Sequence, residues 1–146
     1  MILIVHELLT ELSQDIATDY KVHQVVSVRP HLYRHGSPAG SVALEIRDAE
    51  GNTVAASNTR SIDSIGSGTY WHGYAEFQIS AQLMKDTSYR LVLTASGYTF
   101  DESGYLGWCN GFDLGKYEAG YSPSQWFSAP LDFEVWSRAQ VKKGIA

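Results

Sequence analysis

One cysteine, Cys109, stands in 146 residues, so no disulfide can form within the chain. A chain of this length has no need of one, because a single core can bury about 70% of its unfolded surface. The scarcity also fits folding in a reducing compartment. The neighbours Trp108, Asn110 and Gly111 bring no charge or base to activate the thiol, which predicts an inert sulfur. Basic residues are few as well: 11 against 16 acidic ones, for a net charge of −5. Arg138, Lys142 and Lys143 make the only basic cluster, and it reads as a solvated tail. Phosphate recognition needs clustered cations, so nucleic acid is not an expected partner. No apolar run approaches the roughly 20 residues of a spanning helix, so no membrane partner is expected. The opening "MILIVHELL" lacks the basic start, the long apolar stretch and the small-residue cleavage site of a signal peptide. We therefore expect a chain made without an export address.

Helical periodicity is also missing, and strand periodicity takes its place. In "RHGSPAGSVALEIRDAEGN", residues 34–52, two turn signals flank a short run. Val42, Leu44 and Ile46 share one parity, with Ala43, Glu45 and Arg47 on the other. The same alternation appears at Val26, Val28, Pro30 and Leu32, opposite Ser27, Arg29, His31 and Tyr33. Pro30 lacks an N–H, which predicts an edge strand or a bulge there. A weaker run holds Val54 and Ala56. "YWHGYAEFQI" places Trp71, Ala75, Phe77 and Ile79 on one face and His72, Tyr74, Glu76 and Gln78 on the other. Further runs are Tyr89, Leu91 and Leu93; "YLGWC"; and Leu131, Phe133 and Val135 in "PLDFEVW". The β-branched opening reads as strand. Half-polar strands of this kind predict antiparallel sheets with one wet face each. Residues 1–146 are expected to form a single all-β domain, an antiparallel β-sandwich of seven or eight strands. Its expected core is Val26, Val28, Leu32, Val42, Leu44, Ile46, Phe77, Leu91, Leu93, Leu131, Phe133 and Val135.

Two segments depart from the strand rhythm. Residues 57–69, "SNTRSIDSIGSGT", are polar and rich in Ser and Gly, and predict an exposed, mobile loop. Residues 96–130 instead hold nine of the eighteen aromatic residues. Tyr and Trp offer a flat apolar face with a polar tip, which suits core packing, a subunit interface or sugar stacking. Tyr105, Trp108, Tyr117, Tyr121 and Trp126 are therefore the candidate interface or glycan contacts.

The usual catalytic signatures are absent. "HELLT" at His6 has Thr10 where a zinc-binding helix needs its second histidine. Gly66-Ser67-Gly68 lacks the spacing of a nucleophile elbow. His23, His31, His35 and His72 could approach one another, with His31 and His35 on the same parity as Arg29 and Tyr33. Scattered histidines on a wet face are the plainer reading. Asp101, Glu102 and Asp113 are carboxylates near the aromatic segment and read as turn chemistry. The expectation is a protein that is not an enzyme and carries no cofactor or metal.

The order of these features resembles a jelly-roll type β-sandwich module of bacteriophage structural proteins and some bacterial secreted proteins. The likeness lies in "GSPAG" followed by "SVALEIRDAEGN", then "GYAEFQISAQLMKDTSYRLVLTASGY", the aromatic segment with Trp126, and the closing "LDFEVW". It covers about residues 22–137. A shortened end, the unusual "WCNGFDLGKY" segment and the missing signal peptide depart from the module's pattern, and the last of these favours the phage branch over the secreted examples. What the resemblance implies is a virion component made in the host cytoplasm: a capsid decoration, fibre or tail accessory subunit. Its partners would be other virion proteins or copies of itself. A carbohydrate-binding module for host attachment, with a surface glycan as ligand, is the alternative.

Overall fold

The computed structural model describes residues 2–4, 11–18, 22–99, 101–109, 121–122, 125–126 and 133–137. They are all-β, with no α-helix among the described residues. The strands are β1 (Ile2–Ile4), β2 (Glu11–Ala17), β3 (His23–His35), β4 (Ser41–Arg47), β5 (Thr53–Ala56) and β6 (Arg60–Ser61). There follow β7 (Tyr70–Tyr74), β8 (Phe77–Leu83), β9 (Ser88–Ser96), β10 (Tyr105–Cys109), β11 (Tyr121–Ser122), β12 (Gln125–Trp126) and β13 (Phe133–Ser137). Every pairing is antiparallel.

The long strand β3 is the spine of one sheet. Along one side β10 pairs with its residues 32–35 and β13 with residues 25–30. Along the other, β7 pairs with residues 31–35 and β8 with residues 23–28. Strand β1 extends this six-stranded sheet beyond β10. Pro30 thus lies in a central strand and in register with Phe133, so it is at neither of the expected places, an edge or a bulge. The register explains how it is tolerated. Tyr74 opposite His31 and Phe77 opposite Val28 set Ala75 opposite Pro30. The Ala75 N–H donates to the Pro30 carbonyl at 3.0 Å, and Pro30 has no N–H to return the bond. The flanking strand is therefore interrupted there, between β7 and β8.

A bulge resets the parity of β3. Ser27 is opposite Trp136 and Val25 opposite Ser137, so Val26 is an extra residue without a partner on β13. Val26, expected in the core, is consequently 39% exposed, and Val25 is fully buried in its place. Strict alternation read through the bulge gave the wrong valine. A register shift between Ile46 and Arg47 accompanies a similar outcome in β5, where Val54 is exposed and Ala55 packs on the core.

The second sheet runs β12-β11-β2-β9-β4-β5, with β6 also paired to β4. The two sheets share one buried cluster. Val28, Leu32, Val42, Leu44, Ile46, Phe77, Leu91, Leu93 and Phe133 belong to it, as the alternation predicted. Leu131 and the side chain of Val135 lie outside the described residues. Each fully buried Leu or Ile contributes roughly 1.5–3 kcal/mol relative to exposure.

Residues 57–69 are not the free loop their composition suggested. Ile62 and Ile65 are fully buried in the shared cluster. Between them runs a 3₁₀ turn, Ile62–Ser64, preceded by β6. The Ile62 N–H donates to the Gly40 carbonyl at 2.9 Å. Arg34, only 3% exposed, ties down the rest. Its Nε donates to the Ile65 carbonyl at 2.6 Å and its Nη2 to the Gly68 carbonyl at 3.1 Å, and its Nη1 donates to the Gly36 carbonyl. A buried guanidinium is tolerable because its donors meet carbonyl oxygens. Two isoleucines in a Ser/Gly-rich stretch outweigh its polar average.

Candidate functional site

Strands β7, β3 and β10 lie side by side, and their polar parity forms one outer face. Register aligns three rows across it. Tyr70, His35 and Tyr105 form the first. His72, Tyr33 and Gly107 form the second. In the third, His31 is opposite Tyr74. Alternation along each strand turns these groups away from Leu32, Arg34, Leu106 and Trp108, which are buried.

The rings on this face contact one another. His35 sits between Tyr70 and Tyr105, with ring centroids 4.7 and 5.2 Å away. Tyr33 and Tyr105 are 5.9 Å apart. His31 packs on Tyr74 at 5.0 Å and on His72 at 5.3 Å. Its Nε2 lies 3.1 Å from His72 Nδ1. One row further along, Arg29 Nη2 meets Glu76 Oε2 at 3.3 Å. Tyr70 is 65% exposed and Tyr74 is 43% exposed, so the face is open at β7. The Tyr33 hydroxyl is pushed above the usual phenol range, first by desolvation and then by the proximity of Tyr105. It therefore stays a neutral donor and acceptor at neutral pH. A surface of this kind can stack on a ring or an apolar side chain and hydrogen-bond at its rim.

Of the residues singled out in the sequence, Tyr105 lies on this face. Trp108 does not: on the parity opposite to Tyr105 and Gly107 in β10, it turns inward and is fully buried. Tyr121 and Trp126 are register partners in the two-residue ladder of the other sheet, where Tyr121 is also opposite Ser13 of β2. Tyr117 lies outside the described residues, as do His6 and Asp113. Among the histidines, His31 and His72 come together, His35 is in the next row but one, and His23 is at the far end of β3 opposite Leu83. Asp101 serves its own turn. Its Oδ1 accepts from the Ser103 N–H at 2.8 Å and hydroxyl at 2.6 Å, which lowers its pKa.

Tyr33, Tyr70 and Tyr74 are not among the contacts expected from the sequence. The signal was present in two alternating runs, His31-x-Tyr33-x-His35 and Tyr70-x-His72-x-Tyr74. Each puts rings, not charges, on its wet parity.

A concavity of about 560 Å³ lies at one end of the other sheet between Asp15, Arg47, Asp48, Glu50, Tyr89 and Arg90. Both of its arginines already hold a carboxylate: Arg90 Nε meets Asp15 Oδ1 at 2.7 Å, and Arg47 Nε meets Glu45 Oε1, outside the cavity lining, at 2.9 Å. The Tyr–His face is the stronger candidate. Comparison of the chain with protein-family models, with curated proteins and with solved structures gives no match.

Proposed function

We propose that this protein is a non-catalytic assembly subunit that docks through the Tyr–His face of β7, β3 and β10. The two sheets around one core are read as a sandwich of jelly-roll type, and the protein as a bacteriophage virion component, such as a capsid decoration, fibre or tail accessory subunit. Its partners are other virion proteins or copies of itself. The observation that carries the docking reading is the exposure of Tyr70 and Tyr74 at the border of a face already paved with rings. Tyrosine is enriched among the few interface residues whose truncation costs about 2 kcal/mol or more. The order of sequence features over 22–137 supports the virion assignment.

The test is sedimentation of the purified chain over a wide concentration range, beside a Tyr70→Ser, Tyr74→Ser double variant. We expect concentration-dependent association that weakens about tenfold or more in the variant, at an unchanged melting temperature. A wild-type chain that stays monomeric, and whose incorporation into particles is indifferent to the two changes, would overturn the assembly reading. The second reading, a carbohydrate-binding module, is favoured by one feature: the largely open Tyr70 ring beside His35 offers a stacking platform for a sugar. Binding on a glycan array that disappears with Tyr70→Ser, in a protein that does not self-associate, would move that reading ahead.

A further inference from the structure

The pair His31–His72 is chemically distinct from the rest of the face. The two residues are diagonal neighbours, because His31 is opposite Tyr74 and His72 is opposite Tyr33. Their facing nitrogens, Nε2 of His31 and Nδ1 of His72, are 3.1 Å apart. The ring centroids are 5.3 Å apart, close to the most that this distance and the two ring radii allow, so the nitrogens point almost straight at each other. One of them therefore carries the proton and the other the lone pair.

We propose that His31 and His72 together form a binding site for a borderline divalent transition-metal ion, of the zinc, nickel or copper type. An ion held about 2.0–2.1 Å from each nitrogen, the usual metal–imidazole length, would subtend roughly 100° across the observed 3.1 Å gap. That angle lies between the right angle of octahedral or square sites and the tetrahedral one. Entry of the ion needs a modest turn of each ring and a change of tautomer. The proton between the rings moves to the far nitrogen of its own ring, and both facing nitrogens then present lone pairs. No net proton is lost when both imidazoles are neutral.

Both side chains stand on neighbouring strands of one sheet, so their backbones are fixed relative to each other. Tyr74 packs against His31 on one side, with ring centroids 5.0 Å apart. His72 is exposed, which leaves an open approach for the ion and its waters. Among the described residues no group of three metal-type side chains converges, so the remaining coordination positions belong to water. The nearest carboxylate in the next row, Glu76, is engaged with Arg29. An all-imidazole donor set selects against hard cations such as magnesium.

The test uses the intact chain and zinc alone. Calorimetric titration is expected to give one ion per chain. Affinity should fall at least tenfold in His31→Asn and in His72→Asn. It should hold in His35→Asn, which removes an imidazole from the same face without touching the pair. Magnesium should give no heat of binding. On the unaltered protein, imidazole nitrogen spectra should show zinc shifting His31 and His72 and leaving His35 in place, a readout that needs no variant to fold. Zinc affinity equal in all three variants, or spectral shifts confined to other histidines, would overturn the proposal. So would the absence of any zinc binding to the wild-type chain.

Discussion

Arg34 shows how much one side chain can fix at a distance. Its three donors hold carbonyls of Gly36, Ile65 and Gly68, which belong to two separate loops. Hydrogen bonds from a charged donor contribute more than neutral ones, and a buried carbonyl left without a donor costs its full desolvation. Arg34→Met is therefore expected to cost about 3 kcal/mol or more, read as a shift of the urea midpoint. Arg34→Lys should recover little, because an ammonium cannot reach three divergent carbonyls as a guanidinium does. Asp48 acts on a smaller scale at the β4–β5 turn. Its Oδ1 accepts the N–H of Asn52 at 2.9 Å and of Glu50 at 3.0 Å. The Asn52 backbone bond is the main reason its carboxyl titrates below the usual range. A carboxyl lowered in the folded state stabilises the fold above its unfolded pKa, and that contribution fades as pH falls through the folded value. The Asn52 amide resonance should therefore titrate below the ordinary aspartate range, and Asp48→Asn should abolish that titration.

At the scale of elements, the alternating strands were legible and the irregular positions were not. Val42, Leu44 and Ile46 could be placed from parity alone, because β4 keeps one register with β9 along its whole length. Val26 could not, because a bulge depends on the partner strand, which the local pattern does not contain. Pro30 is illegible locally for a related reason: its missing N–H is absorbed by a break in the opposite strand. In residues 57–69 the polar average hides Ile62 and Ile65, whose burial anchors the segment. The candidate face was partly legible, since His31, Tyr33 and His35 share a parity; its completion by Tyr70 and His72 needed the pairing of β7 with β3. The anchored segment makes a sharp prediction at Gly66. Its φ is +74°, and a Cβ built there would lie 2.2 Å from ring atoms of Trp71. Gly66→Ala thus combines left-handed backbone strain with a collision against a half-buried indole. It is expected to lower the melting temperature by several degrees, whereas Gly51→Ala, where no atom lies within 4 Å, carries only the backbone penalty. Equal effects of the two changes would mean that the Gly66–Trp71 contact is not a constraint.

For the whole molecule, the decisive feature is that β3 takes partners from distant parts of the chain on both sides. Along residues 25–28 it is held by β8 and by β13, which enters the sheet only at Phe133. The other sheet likewise joins β2 to β9 across more than seventy residues. Such pairings require long loops to close before contacts reward them, so folding is expected on the millisecond-to-second scale or slower. They also make the late strand β13 structurally important. Removing residues 133–146 would uncover the side of β3 that now pairs with residues 133–137 and would take Phe133 from the shared core. An uncovered strand beside exposed core is a template for pairing with another chain. The truncated protein should therefore aggregate and lose its cooperative melting transition. Phe133→Ala separates the two effects, because it empties core volume but keeps the ladder. It is expected to cost about 3–5 kcal/mol while the protein remains soluble. Light scattering and thermal melts on the two forms decide the matter: a truncated chain that stays monodisperse, with the stability of the alanine variant, would show that the ladder to β3 contributes nothing beyond the phenyl ring.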